Sequence, residues 1–214
     1  GIKERKERER ENRRQQIMIA ARRVFAEKDY DKATMEDIAK EAELSPGTLD
    51  HYFKSKDELY ASLCLRVLRY INIKVGHVVS VAHATYEEKQ AALMQAMYDV
   101  YEYDPLILNN MFHLQSSETL KTLSTELLDE INDLSRKALR GMAGMFQEGI
   151  ASGRVIDRNP IALADIFWAL FSGVVLWEES KRIINASRFN IGQTFEVAFD
   201  LFDRGLRRTL PPEG

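Results

Sequence analysis

Three helix-start signals fall within the short stretch from Thr34 to Leu59, TMEDIAKEAELSPGTLDHYFKSKDEL, and they leave few ways to fold it. Thr34 stands three residues before Asp37, a capping-box spacing in which side-chain oxygens satisfy the unpaired amides of a helix start. Ile38, Ala39 and Ala42 then supply the inward stripe of a short helix. Glu41 to Leu44 reads as a turn plugged by Leu44. Ser45 is placed to cap the next helix, with Pro46 at its first position, where a fixed φ helps and the missing N–H costs nothing. That helix is expected to run through Gly47, Thr48, Leu49, Asp50 and His51 to Tyr52, turning Leu49 and Phe53 inward. Ser55 and Glu58 repeat the box spacing and start a longer helix at Lys56. A helix as short as Pro46 to Tyr52 is unstable alone, so its neighbours must hold it. Two short helices joined by a tight turn form a helix-turn-helix, which lays its second helix in a DNA groove.

Around this stretch everything reads as helix and nothing as an alternating strand. Upstream, Ile17, Ala20, Ala21, Val24 and Phe25 share one face of a helix from Arg14 to Lys28. Before it, residues 1–13 form a charged arm, with Glu4–Arg8 and Glu9–Arg13 at i,i+4 in the favourable order. The interleaved acids favour a solvated helical extension over a basic tail, although Arg13 and Arg14 stand near enough to the head to meet phosphates. Downstream, Leu59, Leu63, Val67, Tyr70, Val75, Val78 and Ala82 mark one long helix. Thr85 with Glu88 opens another, Asp104–Pro105 starts a short one ending near His113, and a further one spans about Thr119 to Ser152 before Gly153. Asn159–Pro160 begins a helix apolar around most of its circumference, which must be buried in a bundle or against a second chain. Asn190 with Gln193 opens the last, with Ile191, Phe195, Ala198, Phe199, Phe202 and Leu206 at steps of three and four. The fold class is all-α: a helix-turn-helix domain over 1–55 and a larger helical domain over 56–214.

Charge bounds the function. The chain of 214 residues carries a net charge of -3, and residues 1–60 hold 14 basic against 14 acidic side chains. Attraction to phosphate must therefore come from local placement of charge rather than a global field. The single cysteine, Cys64, excludes an internal disulfide and reads as a small buried hydrophobe. No signal peptide is visible, and the longest apolar run, Ile166 to Trp177, is short for a bilayer span, so a cytoplasmic protein without a membrane partner is expected. Four scattered histidines and one cysteine make no metal set, and no cofactor is implied. His77 and His83 read as helix-surface residues. No nucleophile elbow, phosphate loop, metal-binding helix motif or glycine fingerprint is present, so an enzyme is not expected.

From about Arg14 to Leu59 the sequence resembles the DNA-binding domain of the TetR family of transcriptional regulators. The resemblance is carried by Ile17, Ala20, Ala21, Phe25, Tyr30, Thr34, Asp37, Ile38, Ala39, Ala42, Leu44, Ser45, Gly47, Thr48, Leu49, Tyr52, Phe53, Lys56 and Leu59. It implies a homodimer that binds a palindromic operator on double-stranded DNA and is released by a small-molecule effector, most simply as a repressor. It also implies DNA contacts from Thr34, Ser45, Pro46, Gly47, Thr48, Asp50, His51, Tyr52 and Lys56. Two positions depart from the family pattern. Asp29 stands where a glycine usually closes the first helix in the left-handed conformation, and Asp50 replaces a tyrosine that commonly contacts phosphate. A carboxylate facing phosphates is repelled, which motivates a second reading: an interaction protein keeping the fold with weakened DNA binding.

In the resemblance the last two long helices pair with those of a second subunit, implying Phe167, Phe171, Val174, Val175, Phe195, Phe199 and Phe202 at the dimer interface. For the effector, the aromatic and sulfur-bearing residues of the body suggest an apolar or aromatic ligand with a few polar anchors. The candidates are Met94, Tyr98, Tyr101, Phe112, His113, Met142, Phe146, Phe167 and Phe171, with Tyr98 and His113 as anchors.

Overall fold

The structure, a computed structural model, describes residues 1–115 and 118–208, so the last residues of the expected second domain lie outside it. Among the described residues the chain is helical: α1 (Ile2–Lys32), α2 (Met35–Glu41), α3 (Pro46–Asp50), α4 (Lys56–Ser80), α5 (Tyr86–Tyr103), α6 (Pro105–Gln115), α7 (Thr125–Ala151), α8 (Pro160–Asn185) and α9 (Ile191–Leu206). The all-α expectation holds. The one β feature described is an isolated antiparallel bridge between Val155 and Arg207.

The chain divides into two compact units: residues 1–66 with 114–130, and residues 67–113 with 131 onward. In the first unit, Ile17, Ala21, Phe25, Ile38, Ala39, Leu49, Phe53 and Leu59 are buried to 1% exposure or less. Phe25, Tyr30 and Tyr60 add a mutual aromatic contact, with ring centroids 4.8–5.7 Å apart. The charged arm is helical, continuous with α1.

Asp29 interrupts α1 with φ 61 and ψ 161. The sequence places it in the left-handed helical region; its φ is positive, but its ψ puts it in a region that is essentially glycine-only, which costs more. The true left-handed residue of the head is Glu43, at φ 55 in the turn between α2 and α3. The expected caps form as read at all positions but Ser55: Thr34–Asp37 and Thr85–Glu88 are reciprocal boxes, and Ser45, Asp104, Asn159 and Asn190 accept from Thr48, Ile107, Ile161 and Gln193 amides. At Ser55 the hydroxyl accepts from the Glu58 amide, but the Glu58 carboxylate takes the Lys54 amide instead of completing the box.

The expected helix from Thr119 is split, with a 3-10 turn at Glu118–Thr122 preceding α7 at Thr125. Ser124 is the reason: its hydroxyl accepts from the Leu127 amide as a new helix start. α4 ends at Ser80, and His83 lies beyond it at φ 65 rather than on a helix surface.

The second unit is organised by aromatic stacking between α8 and α9. Phe171, Phe195, Phe199 and Phe167 form a continuous stack with centroids 5.3–5.5 Å apart and nearly parallel planes. Phe146 and Phe112 meet this stack edge-on, from α7 and α6. The α8–α9 connection is pinned by Glu178, which is fully buried. It accepts from the Asn190 amide and the Thr194 hydroxyl and is paired with Lys181 at 2.6 Å. Burial pushes its carboxyl up, but the hydrogen bonds from Lys181, Thr194 and Asn190 outweigh it and hold it below the ordinary value.

Two measurements check this account. Asp29→Gly should raise stability by about 1–3 kcal/mol, read as a higher thermal midpoint, because glycine alone adopts that backbone without strain. Glu178→Gln should melt lower than the parent at neutral pH. A carboxyl held low in the folded state stabilises above its ordinary value of 4.5 and loses that contribution as pH falls below it, so the gap between the two proteins should close there.

Candidate nucleic-acid interface and effector cleft

The recognition candidate is α3, shorter than expected: it ends at Asp50, and His51 and Tyr52 continue as a turn. Leu49 and Phe53 are fully buried beneath it. Ser45 caps it by accepting from the Thr48 amide at 3.2 Å, while the Ser45 and Thr48 hydroxyls bond to each other at 2.8 Å. Ser45, Pro46, Gly47, Thr48, Asp50 and His51 are exposed in one row, with Tyr52 half-buried at its end. A Cβ built on Gly47 would meet nothing within 4 Å, so packing within the chain does not require glycine there.

Arg14 and Lys56 have duties inside the head. Arg14 donates to the Tyr52 carbonyl at 2.7 Å and lies 4.2 Å over the Phe53 ring, which fixes the end of the α3 turn. At least one of its donors is thus spent inside the head. Lys56 donates to the Tyr30 carbonyl at 2.7 Å and sits 4.4 Å over the Tyr30 ring, so at least one of its donors is spent on packing. Thr34 is exposed, but its hydroxyl and amide are both taken up in the box with Asp37. Asp37 in turn bonds to Lys28 at 2.6 Å, and this bond with those of Thr34 holds its carboxyl below the usual range.

The structure also brings Lys6 and Arg10, which the sequence places in a solvated arm, together with Arg13. Lys6, Arg10 and Arg13 follow each other along one face of α1 and line a cleft of about 580 Å³ with Glu9, His51 and Tyr52. Their i, i+4, i+7 spacing was the available signal, obscured by the glutamates between them.

In the second unit the effector candidates separate into two groups. Met94 and Tyr98, both half-buried, line a cleft of about 480 Å³ between α5 and α9, together with Phe195 and Phe199. Tyr101, Phe112, Met142, Phe146, Phe167 and Phe171 are buried to 5% exposure or less and pack as core. His113 is exposed, which corrects its assignment as a pocket anchor. Tyr101 donates to Glu179 at 2.7 Å and accepts from Arg182 at 3.3 Å. Burial, then Glu179, push its hydroxyl up to about 12.

The residues expected at a dimer interface are also mostly internal. Phe167, Phe171, Val174, Val175, Phe195 and Phe199 are buried within the single chain, and only Phe202 is half-exposed. The exposed apolar side chains of the same two helices are others, among them Ile166, Val197 and Leu201, each more than half exposed. No group of His, Cys, Asp and Glu among the described residues could hold a metal ion.

Comparison with known proteins agrees with this geometry. Residues 17–63 match the family model of bacterial regulatory proteins, tetR family. The fatty acid metabolism regulator protein of Bacillus subtilis is 24% identical over 194 residues, covering 89% of this chain and 94% of the relative. An HTH-type transcriptional repressor of Mycobacterium tuberculosis is 45% identical over 51 residues, 24% of this chain and 27% of that protein. The crystal structure of the transcriptional regulator FadR from Bacillus subtilis in complex with stearoyl-CoA superposes with a TM-score of 0.68 at 22% identity, over 90% of this chain and 99% of that one. Over residues 17–63 the chain carries the sequence pattern of the tetR family of bacterial regulatory proteins, and the relatives to which it is similar are transcriptional regulators.

The head therefore yields a paired prediction. Arg10→Ala should leave the thermal midpoint unchanged, lower affinity for any DNA and reduce the salt dependence of binding by about one ion, as loss of a phosphate contact does. Arg14→Ala should instead lower the midpoint, because it frees the Tyr52 carbonyl and uncovers Phe53. Competition binding at several salt concentrations, beside thermal denaturation, separates the two.

Proposed function

We propose that this chain is a ligand-responsive repressor that binds a palindromic operator as a homodimer and leaves it when a small apolar or aromatic effector binds the larger helical domain. The observation that carries this reading is the exposed row on α3, held over a buried Leu49 and Phe53 by partners that leave its outer face unused. By function, the head is assigned to 1–55 and the ligand-binding and dimerisation body to 56–214, although residues 56–66 and 114–130 pack with the head. Gly47 permits close backbone approach, Thr48 and His51 face base edges, and Lys6, Arg10 and Arg13 supply the phosphate contacts that the net-neutral head otherwise lacks.

Dimerisation uses the outward face of α8 and α9. Ile166, Leu170, Val197, Ala198, Leu201 and Phe202 line a largely apolar surface cleft of about 650 Å³. Exposed isoleucine and leucine at this density need a covering partner, and a second copy provides it symmetrically. Pro160–Arg188 is also long and apolar enough to cross a membrane, with mean hydropathy 1.8 in its most apolar stretch. One face buried in the chain and the other against a second copy account for that composition in a cytoplasmic protein. Two heads on one symmetric body fit half-sites about 34–36 Å apart, or a multiple of that. An effector that shifts α4 alters the fit, and because the coupling is reciprocal, DNA weakens effector binding by the same factor. The regulator of Bacillus subtilis crystallised with stearoyl-CoA offers one effector to try, an apolar acyl chain on an anionic carrier.

Selection from a random palindromic library at low salt tests the reading: a defined sequence should emerge, and selection of none favours the interaction-protein reading that Asp50 suggests. Asp50→Tyr should strengthen non-specific binding by removing a charge that phosphates repel; an unchanged affinity would take Asp50 out of the interface. Leu201→Glu should turn the dimer into a monomer by sedimentation and weaken operator binding while the helical circular dichroism is kept.

A further inference from the structure

The α5–α9 cleft has a chemistry that the apolar effector reading does not use. Its floor is apolar, formed by Met94, Phe195 and Phe199, with Tyr98 on one wall. Its second component is Gln90, which lines the cleft at 2% exposure with neither Nε2 nor Oε1 hydrogen-bonded. A buried amide with both ends unpaired costs a folded protein free energy, and such groups are rare. One turn earlier on the same helix face, the Tyr86 hydroxyl is also buried and unpaired.

The charges facing the cleft are acidic in balance. On α5, Glu87 lies 3.5 Å from Arg154. On α9, Asp200 is held by Arg204 at 2.8 Å, and Asp203 by Arg207 at 2.6 Å. Glu196 also lines the cleft and has no cationic partner among the described residues. One carboxylate is left over at the rim of an aromatic slot, above a buried amide with nothing to bind.

We infer that this cleft binds a small aromatic ammonium compound that also carries a hydrogen-bonding group. The ammonium faces Glu196, the aromatic body lies against Tyr98 and Phe195, and the polar group reaches the Gln90 amide once that side chain rotates toward the cleft. The attraction of a cation for carboxylate and ring faces adds to burial of the body. An anionic head group is repelled by the same rim. The inference deepens the proposed ligand response by naming a charge class, and it rests on that response only for the link to DNA.

Calorimetric titration of the full chain with tryptamine, tryptophol and indoleacetate tests it, because the three share a ring and differ in charge. Tryptamine should bind about tenfold more tightly than tryptophol, with indoleacetate weakest, as expected for one charge-assisted hydrogen bond. Glu196→Gln should erase the difference between tryptamine and tryptophol. Gln90→Leu should raise the thermal midpoint of the ligand-free protein and weaken tryptamine about tenfold. Equal affinity for all three, no binding of any, or a lower midpoint for Gln90→Leu overturns the inference. Binding in the stated order without release of selected DNA supports the cleft and overturns its role in the ligand response. Release by stearoyl-CoA with no tryptamine binding does the reverse.

Discussion

Five residues of helix cannot hold their own shape in water, and the head is built to hold them. α3 is clamped from below by Leu49 and Phe53, at its start by the Ser45 hydroxyl, and past its end by Arg14. Arg14 acts twice, through a hydrogen bond to the Tyr52 carbonyl and through its planar guanidinium over Phe53. Lys56 does the same for the last turn of α1 at Tyr30. Two cations that a reader in search of phosphate contacts would assign to DNA are thus bound to backbone carbonyls and ring faces. Under the proposed DNA binding, the cations of the helical arm, Lys6, Arg10 and Arg13, then gain importance as phosphate contacts.

What was legible in the sequence was what local chemistry decides. Capping boxes depend on residues three apart, so Thr34–Asp37 and Thr85–Glu88 could be read directly. The buried stripe of α1 was equally plain, since Ile17, Ala20, Ala21, Val24 and Phe25 repeat at helical spacing. The errors came where a residue has two plausible neighbours. α8 is apolar on most sides, and periodicity does not say which side meets its own chain and which a second. The phenylalanines read as an interface proved to be the inner side, because planar rings stack on each other and leave branched Ile166, Val197 and Leu201 outside. His113 failed for a related reason: the helical pattern gave its existence on α6 but not its direction. The break before α7 turned on one serine, Ser124, which a periodicity search passes over.

The larger domain combines a stiff centre with an adaptable margin. Four stacked rings join α8 to α9, so these two helices move as one body or not at all. The α5–α9 cleft lies at the edge of that stack and shares Phe195 and Phe199 with it. A molecule seated there touches the stack without having to part it. This suits a sensor, because a small displacement at the margin can be passed to a rigid element while the core stays packed.

Glu178 sets a limit on α8 that its apolar composition conceals. A side chain bearing charge sits in the middle of a greasy helix, and its oxygens are answered by the first turn of α9 rather than by solvent. The hairpin of α8 and α9 therefore has to close before that carboxylate is fully sheltered, and any nascent chain in which α9 has not yet emerged leaves it with Lys181 of its own helix alone. A chain cut just before Asn190 would keep the Lys181 pair but lose the amide and hydroxyl that shelter the carboxylate, and would leave a long apolar helix bare along the side that α9 covers.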